Sequence, residues 1–158
     1  MIIDIYRVQP QDKILLLRMF ELYMHDFSEY LEFDLDENGL YGYPYLDLYW
    51  TEPGRHPFLI KVSDKLAGFV LVRTVDSDLG PIHSIAEFFI VRKYRRKGIG
   101  KQAALKMFHS FPGRWRVVQV ERNYPAQTFW RSVISSFTEG KFTDKVEDTT
   151  IVQEFTSV

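Results

Sequence analysis

The sequence contains no cysteine, which excludes disulfides, thiolate metal ligands and a thiol nucleophile, and removes the scaffold of small secreted domains. Net charge is nearly absent as well: 20 Lys and Arg stand against 21 Asp and Glu, a formal charge of -1. At a pI near 6.4 the field of the whole molecule draws neither nucleic acid nor an anionic membrane, so any phosphate site must be local. Long apolar runs are missing: no uncharged stretch approaches the ~20 residues a membrane helix requires. Residues 1–7 lack the basic segment, apolar run and small-residue cleavage site of a secretory signal. The expectation is a cytoplasmic protein that uses no metal, no nucleic acid and no membrane.

What is present is ordinary globular material. The 158 residues are 46% hydrophobic and 26% charged, near the ~150-residue prior for one domain and able to bury roughly 70% of the unfolded surface. One domain over residues 1–158 is expected. The aromatic fraction of 16% is the compositional oddity, and much of it falls in residues 41–50.

Residues 2–8 are rich in β-branched and aromatic types and read as a strand. Behind Pro10, the spacing of Ile14, Leu15, Leu17, Phe20, Leu22 and Met24 predicts an amphipathic helix ending near Asp26. Residues 28–53, interrupted by Gly39, Gly42 and Pro44, predict one short helix and a loop. Strands over 57–62 and 66–74 flank the turn signal Ser63-Asp64-Lys65, and a third over 82–91 follows a turn at 77–81. Three antiparallel strands in a row result. Ala103, Ala104, Met107, Phe108 and Phe111 then return to helical spacing before Pro112-Gly113. A strand at 115–120 precedes a helix at 123–133, with Asn123 as N-cap and Pro125 in the first turn. Strands at 137–142 and 149–155 complete the pattern. The fold class is α/β, a mixed sheet flanked by helices.

The chemistry concentrates where the third strand of that row runs through Arg92-Lys93-Tyr94-Arg95-Arg96-Lys97-Gly98-Ile99-Gly100-Lys101 directly into a helix. The first turn of a helix leaves N–H groups unpaired at the positive end of its dipole, and glycines let a phosphate come close. A Walker loop would need glycine at Arg95 and Ser or Thr at Gln102, so that reading fails at both ends. Residues 98–103 do match the dinucleotide pattern G-x-G-x-x-A, and Glu121 follows at a suitable distance. The context argues against it: the strand ahead of the loop closes a meander instead of opening a β-α-β unit, and the remaining chain is short for a dinucleotide fold.

Two blocks carry a family resemblance. Arg95-x-x-Gly98-x-Gly100 at the end of a central strand, with residues 88–94 as its approach, resembles the coenzyme A loop of the GNAT superfamily of N-acetyltransferases. Asn123-x-x-Ala126-x-x-Phe129 resembles that family's helix after the next strand. The resemblance covers about residues 66–142 and implies a GNAT-like acyl-CoA N-acyltransferase fold with a mostly antiparallel twisted sheet. It further implies that backbone amides of Arg96, Lys97, Gly98, Ile99, Gly100 and Lys101 bind the pyrophosphate of acetyl-CoA, with Arg95 in the same loop. The strand edge at Phe89 and Ile90 would pair with the pantetheine arm, and Asn123 would bind near the thiol end. An amine acceptor would attack the thioester directly, with the Ile90 N–H as oxyanion donor.

The match departs in one place. Trp130 stands where many members carry a tyrosine that protonates the leaving thiolate, and an indole N–H cannot act as that acid near neutral pH; Tyr124 is the nearest phenol in sequence. For the base, Glu87 and His83 lie on the strand leading to the loop, where alternation puts them on one face. Glu87 is the candidate general base, a carboxylate in an apolar strand having a raised pKa, against a purely structural role; His83 reads as a surface histidine. Residues 26–50 interleave acids, among them Asp26, Glu29, Asp36 and Asp47, with Tyr41, Tyr43, Tyr45, Tyr49 and Trp50. These suit a cationic acceptor, or else are a solvated face over core aromatics. The expected function is acetyl transfer from acetyl-CoA to a primary amine of a small molecule. The alternative is a non-catalytic acyl-CoA-binding sensor. Sheet edges leave a homodimer open.

Overall fold

The computed structural model describes residues 1–158. Seven strands form one sheet: β1 (Ile3–Arg7), β2 (Arg55–Val62), β3 (Lys65–Ser77), β4 (Gly80–Ile90), β5 (Gly113–Val120), β6 (Thr143–Glu147) and β7 (Thr150–Ser157), in the spatial order β1-β2-β3-β4-β5-β7-β6. Every neighbouring pair is antiparallel except β4 and β5, which run parallel. That exception follows from the helix between them, α3 (Ile99–Ser110), since a parallel return needs a crossover. The other helices are α1 (Lys13–Phe27), the single turn α2 (Leu48–Thr51) and α4 (Tyr124–Thr138).

Alternation along the strands supplies two cores, one on each face. On β2, Leu59 goes to one side while Ile60 and Val62 go to the other; on β3, Phe69 and Leu71 oppose Val70 and Val72. The first face packs on α1 and α2 through Leu16, Met19, Phe20 and Tyr49. The second packs on α3 and α4 through Met107, Phe108, Trp130 and Ile134, with Trp115 of β5 and Phe155 of β7 completing it. Each such aromatic or aliphatic side chain taken out of water stabilises the fold by about 1.5–3 kcal/mol, which explains why the central strands are apolar on both faces.

The expected hairpin at residues 63–65 is present: Ser63 and Asp64 sit at φ 47 and φ 67, the primed two-residue turn that matches strand twist. The strand expected at 137–142 is not. Helix α4 continues to Thr138 because Phe137 extends the spacing of Trp130, Val133 and Ile134 and packs against Phe108 and Phe155. It stops where Glu139 takes a left-handed φ of 54, followed by Gly140 at φ 81, and β6 begins only at Thr143.

One irregularity positions the site. Between β3 and β4 the register passes from Leu71↔Glu87 to Val72↔Ile85, so Ala86 has no partner and forms a β-bulge. The extra residue inverts the alternation. His83 lies against Phe111 and Trp115 on the α3 and α4 side, whereas Glu87 faces Tyr23 of α1 on the other. The expectation that these two share a face is therefore corrected.

Candidate active site between the diverging strands

Strand β5 pairs with β4 only from Ile82 to Ser84, opposite Arg114 to Arg116. Beyond that the two strands diverge, and β4 runs on to Ile90 without a strand on this side. Phe88 packs there against Phe129 and Trp130 of α4, at centroid distances of 5.6 and 5.0 Å. The Val91 N–H donates to the Ala67 carbonyl of β3 at 2.8 Å, so alternation turns the N–H of Ile90 to the open side. The Ile90 carbonyl on that side accepts from Nε of Arg95 at 2.7 Å.

The loop after β4 is a short 3-10 turn, Arg92–Tyr94, followed by a left-handed Arg96 at φ 60 and Gly98 at φ 79, which starts α3. No side chain caps α3, so the first-turn N–H groups of Ile99, Gly100 and Lys101 remain available to an anion. A Cβ at Gly100 would come within 3.3 Å of the Phe129 ring. Glycine here lets α3 begin against α4 and keeps the approach to its amides open.

A cleft of about 670 Å³ occupies this space. Of the residues expected at the site, Phe89, Ile90, Arg95, Arg96, Gly98, Gly100, Lys101 and Asn123 line it. Ile99 is fully buried in the core, which leaves only its backbone for binding, and Nζ of Lys97 lies 6.0 Å from the Tyr94 ring centre. Asn123 caps α4, its Oδ1 accepting from the Ala126 N–H at 3.2 Å, so its amide nitrogen is the part left for a ligand. Trp130 lies in the cleft wall and is nearly buried. Tyr124 is 68% exposed and lies outside the cleft lining, between Asn123 and Pro125, which are part of it.

Two cleft groups have roles the sequence did not signal, Asp26 reading there only as one of the acids of residues 26–50 and Tyr23 not at all. Asp26, at the end of α1, accepts from Nη2 of Arg92 at 2.7 Å and Nη2 of Arg95 at 2.6 Å. Burial pushes its carboxyl up, but the bonds from Arg95 and Arg92 outweigh this and hold it below the usual carboxylate range. Tyr23, one turn earlier, also lines the cleft, and its hydroxyl faces Glu87. Burial above all, then the Glu87 charge, raises the Tyr23 phenol well above its ordinary value.

Glu87 itself opens on the α1 face of the sheet, into a second pocket of about 360 Å³ walled by Tyr43, Tyr45, Tyr49, Arg55, Arg73 and Ser84. Burial pushes the Glu87 carboxyl up to about 7, an effect the nearby Tyr23 hydroxyl only partly opposes. Tyr23 thus separates the two spaces, belonging to one and touching the acid of the other.

The acids of residues 26–50 do not reach this second pocket. Asp26 is held by the arginines, Asp47 pairs with Lys13, Glu29 lines the first cleft, and Glu32, Asp34, Asp36 and Glu37 are exposed. Only the tyrosines of the segment arrive. His83 is corrected too: it is buried, its Nε2 donating to the Pro112 carbonyl at 3.1 Å and its Nδ1 lying 2.8 Å from the Thr74 hydroxyl. No group of three or more His, Cys, Asp or Glu is placed to hold a metal ion, and no helix is long and apolar enough to cross a membrane.

Solved structures share this architecture along nearly the whole chain. An acetyltransferase from Thermus thermophilus superposes with a TM-score of 0.69 at 18% identity, covering 99% of this chain and 97% of that one. The PaiA N-acetyltransferase of Thermoplasma acidophilum, solved with coenzyme A, gives 0.66 at 13% identity and 99% of both chains. The ribosomal-protein-S18-alanine N-acetyltransferase of Escherichia coli gives 0.66 at 12% identity, over 99% of this chain and 94% of that one. No protein of curated function matches by sequence. These likenesses establish the fold. The model described as Acetyltransferase (GNAT) family matches residues 16–133, which take in the diverging strands, the loop and most of both helices around the cleft. On that match the chain belongs to the GNAT family of acetyltransferases.

Proposed function

We propose that residues 1–158 form a single N-acetyltransferase domain, working in the cytoplasm, that moves the acetyl group of acetyl-CoA onto a primary amine of a small molecule. The observation that carries this reading is Glu87: a carboxyl raised to about 7 that lines the second pocket and whose neighbour Tyr23 lines the cleft beside the free β4 edge. In this reading the pyrophosphate sits on the amides of residues 96–101 with Arg95 beside them, and the pantetheine arm runs along β4 at Phe89 and Ile90. Asn123 contacts the same ligand near its thiol end.

The chemistry then divides between the two pockets. The amine enters from the second pocket and gives a proton to Glu87, whose pKa suits a base near neutral pH. The nitrogen attacks the thioester carbonyl, and the Ile90 N–H, turned to the open side, meets the developing oxyanion. The carbon–sulfur bond breaks. Tyr23 supplies the proton for the leaving thiolate and recovers one from Glu87, a role its position supports and Trp130 cannot fill. A non-catalytic acyl-CoA sensor is the second reading, favoured by Trp130; the open pocket at Glu87 favours the enzyme.

The test is thermal unfolding with acetyl-CoA, coenzyme A and NAD in parallel, followed by an amine screen that reads thiol release. A ligand at 100 times its Kd adds about 2.7 kcal/mol. Stabilisation by the coenzyme A species alone is expected. Stabilisation by NAD alone, or by none of the three, refutes the assignment; coenzyme A binding without turnover of any amine selects the sensor.

A further inference from the structure

The second pocket carries the wrong charge for a plain cationic amine. Arg55 and Arg73 stand directly opposite each other in the β2–β3 register, and Ser84 stands opposite Arg73 on β4. Like charges facing each other across a ladder are destabilising; Arg73 is exposed to water at the pocket mouth, while Arg55 is largely covered. Nε of Arg55 donates to Oε2 of Glu52 at 3.0 Å, while Arg73 makes no ion pair. The Arg55 side chain is only 13% exposed and its guanidinium lies 5.4 Å from the Tyr49 ring centre, so its terminal nitrogens are held in the pocket wall.

A second observation points to a ligand. Tyr49 is 4% exposed, yet its hydroxyl, close to Tyr43 and Arg55, makes no hydrogen bond of good geometry with either. Buried hydroxyls are nearly always paired. A phenol O–H and the N–H groups of two guanidinium forks are all donors, and a carboxylate is a compact group that only accepts and that a small amine commonly carries.

We infer that the acceptor is a small amine that also bears a carboxylate, its carboxylate held by Arg73, the terminal nitrogens of Arg55 and the Tyr49 hydroxyl while its amine faces Glu87. This rests on the reading of Glu87 as the base and adds the chemical class of the acceptor. The register sets the span. Glu87 faces Leu71, two residues along β3 from Arg73, which is about 7 Å at the rise of a strand. A pocket of about 360 Å³ suits a molecule between a free amino acid and a dipeptide.

The experiment compares matched pairs: glycine, β-alanine, 4-aminobutyrate and glutamate against their carboxamides, with kcat/KM read by thiol release. At least one acid is expected to exceed its amide roughly ten- to hundredfold, the range of a hydrogen bond to a charged group. Arg73→Gln should bring that ratio toward one through the KM of the acid, and Arg73→Lys should keep part of it. Amides used as well as their acids, or a ratio unchanged in Arg73→Gln, would overturn the inference. In parallel, the N-acetylated acids should raise the melting temperature of the coenzyme A-saturated protein more than the N-acetylated amides do; equal shifts overturn it even if turnover is not found. A protein unresponsive to coenzyme A refutes the enzyme reading instead, and the acid-over-amide preference is then read on the protein alone.

Discussion

Replacing Glu87 by Gln should make the protein more stable and less active, and the gain in stability should depend on pH. The carboxyl titrates at 4.5 in a free chain and at about 7 in the fold, so the folded state binds the proton more tightly than the unfolded state. Stability contributed by the protonated form is then fully present below 4.5 and lost as pH rises through 7. At 1.36 kcal/mol per pH unit, the charged form costs the native state about 3 kcal/mol at pH 8. Gln keeps the shape and an acceptor for Tyr23 but cannot ionise. The variant should therefore match the native protein near pH 4.5 and exceed it at pH 8 by about 3 kcal/mol, roughly 6 to 12 °C in Tm for a chain of this size. Urea titrations at half-unit pH steps read the difference directly. Activity should move the other way: kcat/KM of the native protein should rise with an apparent pKa near 7, and Glu87→Gln should lose roughly a hundredfold or more. A stability difference that stays constant from pH 4.5 to 8, or a less stable variant at pH 8, would refute the argument that Glu87 is buried at a cost for function.

Gly68→Ala should cost about 3 kcal/mol, measured by the urea midpoint, because a Cβ there overlaps the Phe89 carbonyl and forces β3 from β4 at the site. Asp26→Asn should free Arg92 and Arg95 for phosphate and tighten coenzyme A binding about fivefold by calorimetry, with a steeper salt dependence. His83→Ala should lower stability by about 2 kcal/mol, leaving Thr74 and the Pro112 carbonyl without their partner, while kcat/KM per folded molecule stays unchanged.

The loop and the strands around it were legible in the sequence because their signals are local. Glycines at 98 and 100, the basic run before them and the apolar strand ending at Val91 adjoin in the chain. The end of α4 was not, because Phe137 reads equally as strand or helix until Phe108 and Phe155 are there to receive it. Tyr23 and the arginine partners of Asp26 were out of reach for a related reason: Glu87 and Arg95 lie more than 60 residues away from them, and periodicity places α1 without saying which arginines its last turn meets. Glu87 emerged from residue type and position, but its orientation did not, since the period-2 rule carries no mark of the unpaired Ala86. The arginines of the second pocket are likewise 18 positions apart in sequence and neighbours only through the register of β2 and β3.

The bulge at Ala86 acts on β4 as an inserted base acts on a reading frame. Ahead of it, His83 and Ile85 are spelled toward α3 and α4; behind it, Glu87 and Phe89 are spelled toward α1. Were the same residues threaded in strict alternation from His83 onward, the carboxyl of Glu87 would go into the aromatic core beside Trp130, and Phe88 would turn toward the tyrosine pocket. The protein would keep every side chain its chemistry uses and lose the chemistry, because what the extra residue contributes is phase.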